Sequence, residues 1–158
     1  MSEKWTSFEK ASVAIRKYCA YRERCQSEVY QRLYKMNVPN DWMEELVADL
    51  MAEDYLNEWR YAEWYVRSKV NQNGWGRIKI SQGLKAKKVA QALIDHAMRQ
   101  IDEEIYFKKI HKWIETKIRD YKGKYTKKEL KWKVGGFCFQ KGFPFDEFEH
   151  AWESIHRN

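Results

Sequence analysis

The 158 residues predict an all-α fold, built as three tandem three-helix (helix-turn-helix-like) repeats packed into an elongated, curved array. Three observations carry that expectation. Two prolines and seven glycines are too little punctuation for a many-stranded sandwich or barrel, while 44% hydrophobic and 16% aromatic content supplies a core despite 34% charge. An apolar signature at i, i+4 and i+9 occurs three times: Val29, Leu33, Val38; Ile80, Leu84, Val89; and Val134, Cys138, Phe143. Both prolines follow the i+9 residue directly, Pro39 after Val38 and Pro144 after Phe143, 105 residues apart.

The spacing has a physical reading. Residues i and i+4 share one helix face, so a break must fall before i+9. Asn37 and Gly142 stand at that break, and both residue types readily take the left-handed conformation that ends a helix. Proline then suits the start of the next helix, and Asp41 and Asp146 place an acid at its positive end. The middle copy reads Lys88-Val89-Ala90, keeping the apolar anchor without either turn residue.

Nine helices follow in order. The first repeat, residues 1–54, takes 6–20, 27–36 and 39–52, with Thr6-Ser7-Phe8-Glu9 as a capping box. The second, 55–101, takes 57–71, 77–87 and 90–100, after the turn Asn73-Gly74-Trp75-Gly76. The third, 102–158, takes 102–121, 126–141 and 144–156, with Thr126-Lys127-Lys128-Glu129 as a second capping box. Units of this size bury little area alone, so neighbours should pack end to end. Gly135-Gly136 falls inside the eighth helix, where each glycine costs about 1 kcal/mol relative to alanine. Either a close backbone approach or a kink is expected there. Trp59, Trp64, Trp113 and Trp152 fall at helical spacing and read as core, whereas Trp75 and Trp132 read equally well as core or as binding residues.

Charge is segregated along the chain. The net charge is +7, yet residues 28–63 carry nine acids against three basic groups. Residues 64–94 carry seven basic groups and no acid, and residues 108–133 carry eleven basic groups against three acids. A surface facing polyanions or an acidic partner is expected from the basic blocks, and the acidic stretch argues against uniform coating of DNA. Basic residues interleave with aromatics in Trp75-Gly76-Arg77-Ile78-Lys79 and Lys131-Trp132-Lys133, a pattern usable for phosphates and base stacking.

Other classes are disfavoured. Cys19, Cys25 and Cys138 form no disulfide framework or zinc pattern, so a reducing, cytoplasmic compartment is expected. No apolar window approaches the ~20 residues of a membrane span. Phosphate-loop, dinucleotide-binding and hydrolase motifs are absent, and His96, His111, His150 and His156 are scattered. No catalytic residue, metal or cofactor is therefore expected, and the chain is read as a monomer that is not an enzyme.

Several stretches resemble the RecX family, regulators of the RecA recombinase. Residues Arg24-Cys25-Gln26-Ser27-Glu28-Val29-Tyr30-Gln31-Arg32-Leu33 resemble its "R-x-x-S-x-x-E-L-x-x-K-L" region. Residues Tyr55-Leu56-Asn57-Glu58-Trp59-Arg60-Tyr61-Ala62-Glu63-Trp64-Tyr65-Val66 resemble the hallmark "y-L-D-D-x-r-F-A-x-x-y-v". Gly76-Arg77-Ile78-Lys79-Ile80 with Leu84-Lys85-Ala86-Lys87-Lys88-Val89 resembles "G-x-x-k-I-x-x-x-L-x-x-K-G-I", and Gln140-Lys141-Gly142-Phe143 repeats that ending. Asn57-Glu58 replaces the hallmark Asp-Asp, and Lys87-Lys88 replaces Lys-Gly.

The resemblance implies a non-enzymatic inhibitor that binds the RecA–single-stranded DNA filament and modulates its ATPase, recombination, DNA repair and SOS response. Charge and register point to Arg67, Lys69, Arg77, Lys79, Lys85, Lys87 and Lys88 as the filament- or DNA-binding set, with Lys127, Lys128, Lys131 and Lys133 secondary. The RecA nucleoprotein filament is the expected partner, with single-stranded or double-stranded DNA left open. The competing reading is a helix-turn-helix protein that binds nucleic acid directly.

Overall fold

The computed structural model describes residues 7–157. Among them the chain forms nine helices and no strand: α1 (Phe8–Tyr21), α2 (Gln26–Lys35), α3 (Asn40–Ala52), α4 (Glu58–Asn71), α5 (Arg77–Ala86), α6 (Gln91–Arg99), α7 (Glu103–Asp120), α8 (Lys127–Gln140) and α9 (Phe145–His156). The fold is all-α, as the periodicity predicts.

Side chains fix the helix starts. Asn57 caps α4 by accepting from the Arg60 N–H at 3.0 Å, and Thr126 caps α8 by accepting from the Glu129 N–H at 3.2 Å. Asp102 accepts from the Glu104 and Ile105 N–H groups to open α7. At α1 the cap is Ser7, whose hydroxyl accepts from the Lys10 N–H at 3.1 Å. The expected capping residue Thr6 lies outside the described residues.

The i, i+4, i+9 signature is a helix-ending turn used three times. The N–H of Val38 bonds to the Leu33 carbonyl, that of Val89 to Leu84, and that of Phe143 to Cys138, at 3.1–3.2 Å. Each bond joins the i+9 residue to the i+4 residue, which pulls their buried side chains together across the turn. Asn37, Lys88 and Gly142 hold the left-handed position, with φ of 59°, 62° and 100°. The middle copy therefore keeps the turn conformation with a lysine, although it lacks both turn residues of the other copies. Pro39 and Pro144 sit at the N-caps of α3 and α9, one residue before the first helical position.

Packing merges what the repeat separates. Helices α1–α3 close one apolar core around Ile15, Leu33, Leu46 and Leu50. A second core runs continuously through α4–α9, centred on Tyr61, Ile80, Tyr106, Ile110 and Phe143, and takes in Cys25 from the first triplet. Helices α4 and α7 pack together, which is why the second and third triplets share a core.

Trp64, Trp113 and Trp152 are half-buried against this core, but Trp59 is 51% exposed and meets His96 edge-on instead. Near Gly135 no backbone approaches closely. Helix α8 runs unbroken, and the neighbour is a side chain: a Cβ on Gly135 would lie 3.0 Å from Cε1 of Phe148.

Candidate functional site

The junction between the second and third triplets depends on two glycines. The Gly76 N–H donates to the Lys141 carbonyl at 2.8 Å, and the Ile78 N–H donates to that of Gly142 at 2.9 Å. A Cβ on Gly76 would lie 2.3 Å from the Gly142 carbonyl carbon, and one on Gly142 would lie 2.4 Å from the Lys79 Cβ. Only backbones without side chains fit so closely, so these hydrogen bonds require both glycines.

That docking assembles a face of cations on aromatic rings. The ammonium groups of Lys69 and Lys79 each lie 4.5 Å from the centre of the same Trp75 ring. Across the junction, Lys141 Nζ lies 4.8 Å from the Trp113 ring centre, and Lys117 Nζ lies 4.2 Å from that of Phe137. Trp113 and Phe137 meet edge to face at 5.2 Å. The Trp113 indole N–H donates to the Gly74 carbonyl at 2.8 Å, tying this ring pair to the loop that carries Trp75.

Among the described residues, Lys69, Lys79 and Lys141 have no carboxylate within ion-pair distance, whereas Lys117 meets Asp120 at 3.5 Å. Two ammonium groups sharing one indole repel each other, and a bridging anion relieves that repulsion. The half-buried rings hold the ammonium groups in place at the surface, an arrangement that suits phosphates or a carboxylate-bearing surface.

The structure divides the residues singled out from charge and register. Arg77 is committed internally: it donates to Glu147 at 2.8 Å, pairs with Glu103 and lies 4.3 Å from the Tyr106 ring centre. The Tyr106 hydroxyl accepts from the Arg77 N–H and donates to Glu147, closing the network. Lys87 meets Glu28 at 3.4 Å, and its carbonyl accepts from the Ser27 hydroxyl at 2.6 Å, so it joins the first triplet to the second. Lys131 pairs with Glu149 at 2.9 Å. Each of these three cations is neutralised by an acid from another helix, which a count along the sequence does not register.

Lys85 and Lys88 are exposed near the end of α5, and Arg67 borders a cavity of about 300 Å³ between α4, α6 and the start of α7. Lys127, Lys128 and Lys133 stand on α8, where Lys133 Nζ lies 5.5 Å from the Tyr125 ring centre. The structure thus brings Lys69 and Lys79 together and adds Lys117 and Lys141, which sequence reasoning missed. Lys141 was findable, because it occupies the repeat position of Lys87.

Residues suited to chemistry are muted. Burial pushes the Cys19 thiol up to about 11 and that of Cys138 to about 12, and it raises Cys25 as well. Among the described residues no group of three or more His, Cys, Asp or Glu side chains is placed to hold a metal ion. No described helix is long and apolar enough to cross a membrane.

The family model for the second three-helix domain of RecX matches residues 57–98, and that for the third matches residues 103–152. The chain belongs to the RecX family. "Regulatory protein RecX" of Bacillus cytotoxicus is 29% identical over 147 residues, covering 93% of this chain and 54% of the relative. Its namesake from Lactococcus lactis is 30% identical over 140 residues, covering 87% and 52%. The chain spans about half the length of these curated relatives.

Among solved structures, one described as regulatory protein RecX matches with a TM-score of 0.83 at 24% identity, over 92% of this chain and 73% of the other. RecX from Lactobacillus salivarius matches with a TM-score of 0.81 at 22% identity, over 94% and 96%. These likenesses show the fold. The second-domain match of RecX encloses Lys69, Trp75 and Lys79, and the third encloses Trp113, Lys117, Phe137 and Lys141. The basic and aromatic face therefore lies where two RecX domains meet.

Proposed function

We propose that this chain is a non-enzymatic regulator that binds the RecA–single-stranded DNA filament and inhibits its ATPase, and with it recombination and SOS-related activities. Membership of a family whose curated members are named regulatory proteins supports the regulatory part. The observation that carries the contact is the pair of lysines on Trp75 beside Lys141 on Trp113, uncompensated cations spread across two domains.

A filament presents carboxylates and DNA phosphates along one groove, and a face spanning two repeats can engage both kinds of anion. In the first triplet, Asp41, Glu44, Glu45 and Asp49 of α3 are then available to basic loops of the recombinase. Lys69, Lys79 and Lys141 are the central contacts in this reading, with Lys117, paired with Asp120, beside them. Arg67, Lys85, Lys88, Lys127, Lys128 and Lys133 are peripheral contributors. A cytoplasmic setting and a monomeric state fit the same reading.

The test is RecA's single-stranded-DNA-dependent ATPase. Substoichiometric chain should lower the rate, and Lys69→Glu with Lys79→Glu should restore it while helicity is kept. A rate unchanged at equimolar chain overturns the proposal. If the chain then also binds free single-stranded DNA tightly, direct nucleic-acid binding is correct. The unpaired Lys69 and Lys79 beside Trp75 are what that second reading would rest on, as phosphate contacts.

A further inference from the structure

Helix α8 is apolar on two faces and buried on only one. Val134 and Cys138 point into the core at 0% exposure. On the other side Trp132, Gly136 and Phe139 form a second stripe at i, i+4 and i+7, with Trp132 81% and Phe139 66% exposed. Phe145 on α9, 71% exposed, and the edge of Phe148 complete a groove of about 760 Å³. An apolar helix face is ordinarily covered, and here one of the two is open.

The groove is particular to the third triplet. At the corresponding repeat positions the second triplet has Ile78, Gln82, Lys85 and Gln91, and the first has Ser27, Gln31, Tyr34 and Asn40. The repeat architecture therefore does not require Trp132, Gly136, Phe139 and Phe145. Gly136 is equally unexplained by internal packing, since a Cβ there would meet nothing within 4 Å. Its effect is to lower the groove floor midway along the stripe, where a second helix would approach most closely.

We propose that the α8–α9 groove binds an amphipathic helix of a partner protein, one with large apolar side chains at i, i+3 or i+4, and i+7 and an acidic flank. The stripe length and the central glycine match helix-in-groove recognition. Charge selects the flank. The turn before α8 and the first half of the helix, Lys122 to Lys133, carry six lysines and one acid, Glu129, and of these Lys128 lines the groove without an acid partner among the described residues. On the α9 edge, Glu147 and Glu149 are already taken by Arg77 and Lys131, leaving Asp146 as the free acid of that turn.

Area argues against a second copy. Three largely exposed aromatics offer roughly 400–500 Å², short of the ~800 Å² per partner of a standard interface.

The inference does not rest on the filament reading, and its test uses no recombinase. The probe is a labelled synthetic peptide of alanine and glutamate carrying leucine at i, i+3, i+4 and i+7, with a lysine-for-glutamate counterpart. Anisotropy should show saturable binding of the acidic peptide and roughly tenfold weaker binding of the basic one. Phe139→Glu should abolish binding. Gly136→Leu, which fills the groove while favouring the helix, should abolish it without lowering Tm. Absence of saturable binding, equal binding of both peptides, or binding untouched by both variants overturns the proposal. A concentration-dependent dimer in sedimentation that Phe139→Glu abolishes gives the groove to a second copy. Tighter binding of oligothymidylate than of peptide, lost in the same variant, gives it to nucleic acid.

Discussion

Arg77 and Lys79 lie two residues apart in the same basic block, yet the structure assigns them opposite kinds of work, and alanine substitutions should separate them. Arg77 is 26% exposed and its partner Glu147 is 13% exposed, so their hydrogen bond at 2.8 Å is largely shielded from water. Losing one such bond to a charged partner costs about 1.5–3 kcal/mol. The Glu103 pair is 60% exposed on the acid side and contributes ~0–1 kcal/mol. The stacked Tyr106 ring adds ~0.5–1 kcal/mol. These terms overlap, because Glu147 keeps the Tyr106 hydroxyl as a donor after Arg77 is lost. A net cost of about 2–4 kcal/mol is expected for Arg77→Ala. Lys79 makes only its ring contact, and Lys79→Ala should change stability by about 0.5 kcal/mol or less. Urea unfolding of both variants, followed by circular dichroism, reads the difference directly as a shift in midpoint. Equal midpoints for the two variants would refute the assignment of Arg77 to the junction.

Further outcomes follow from the same contacts. Gly136→Ala should stabilise by about 0.5–1 kcal/mol through helix propensity, while Gly135→Ala should gain less or lose, because its Cβ must displace the Phe148 ring; thermal melts compare the two. Lys88→Gly should stabilise by about 1 kcal/mol, since lysine sits at φ 62° where glycine carries no steric penalty, and a lower Tm would refute that. Burial alone would raise the Glu28 carboxyl, but the Cys25 N–H, Arg22 and Lys87 hold it below its ordinary 4.5. Its stabilisation is therefore complete above pH 4.5 and lost as pH falls through the lower folded value, so Glu28→Gln should flatten that acid decline. Burial raises Glu58 in the same junction, which works in the opposite sense, and parallel acid profiles for parent and Glu28→Gln would sink the assignment.

The repeat was legible because it is written in local terms. Turn closure demands apolar residues at i+4 and i+9 and a left-handed residue between them, and all of these sit within ten positions of one another. Lys88 shows the limit of that reading: the hydrogen bond from Val89 to Leu84 and the buried pair it joins hold the turn even where the residue type argues against it. The candidate site was only half legible, because charge along a sequence says nothing of which acid lies opposite. Arg77 and Lys87 belong to a stretch without a single carboxylate, and both are neutralised by glutamates at least twenty-six residues away. The repeat position marks Lys141, but what surrounds it is not written locally. Its neighbourhood is created by Gly76 and Gly142 closing on each other, a contact between positions that no local pattern relates. In a repeat protein of this kind, composition reports how much charge there is, whereas the junctions decide which charges remain available to a partner.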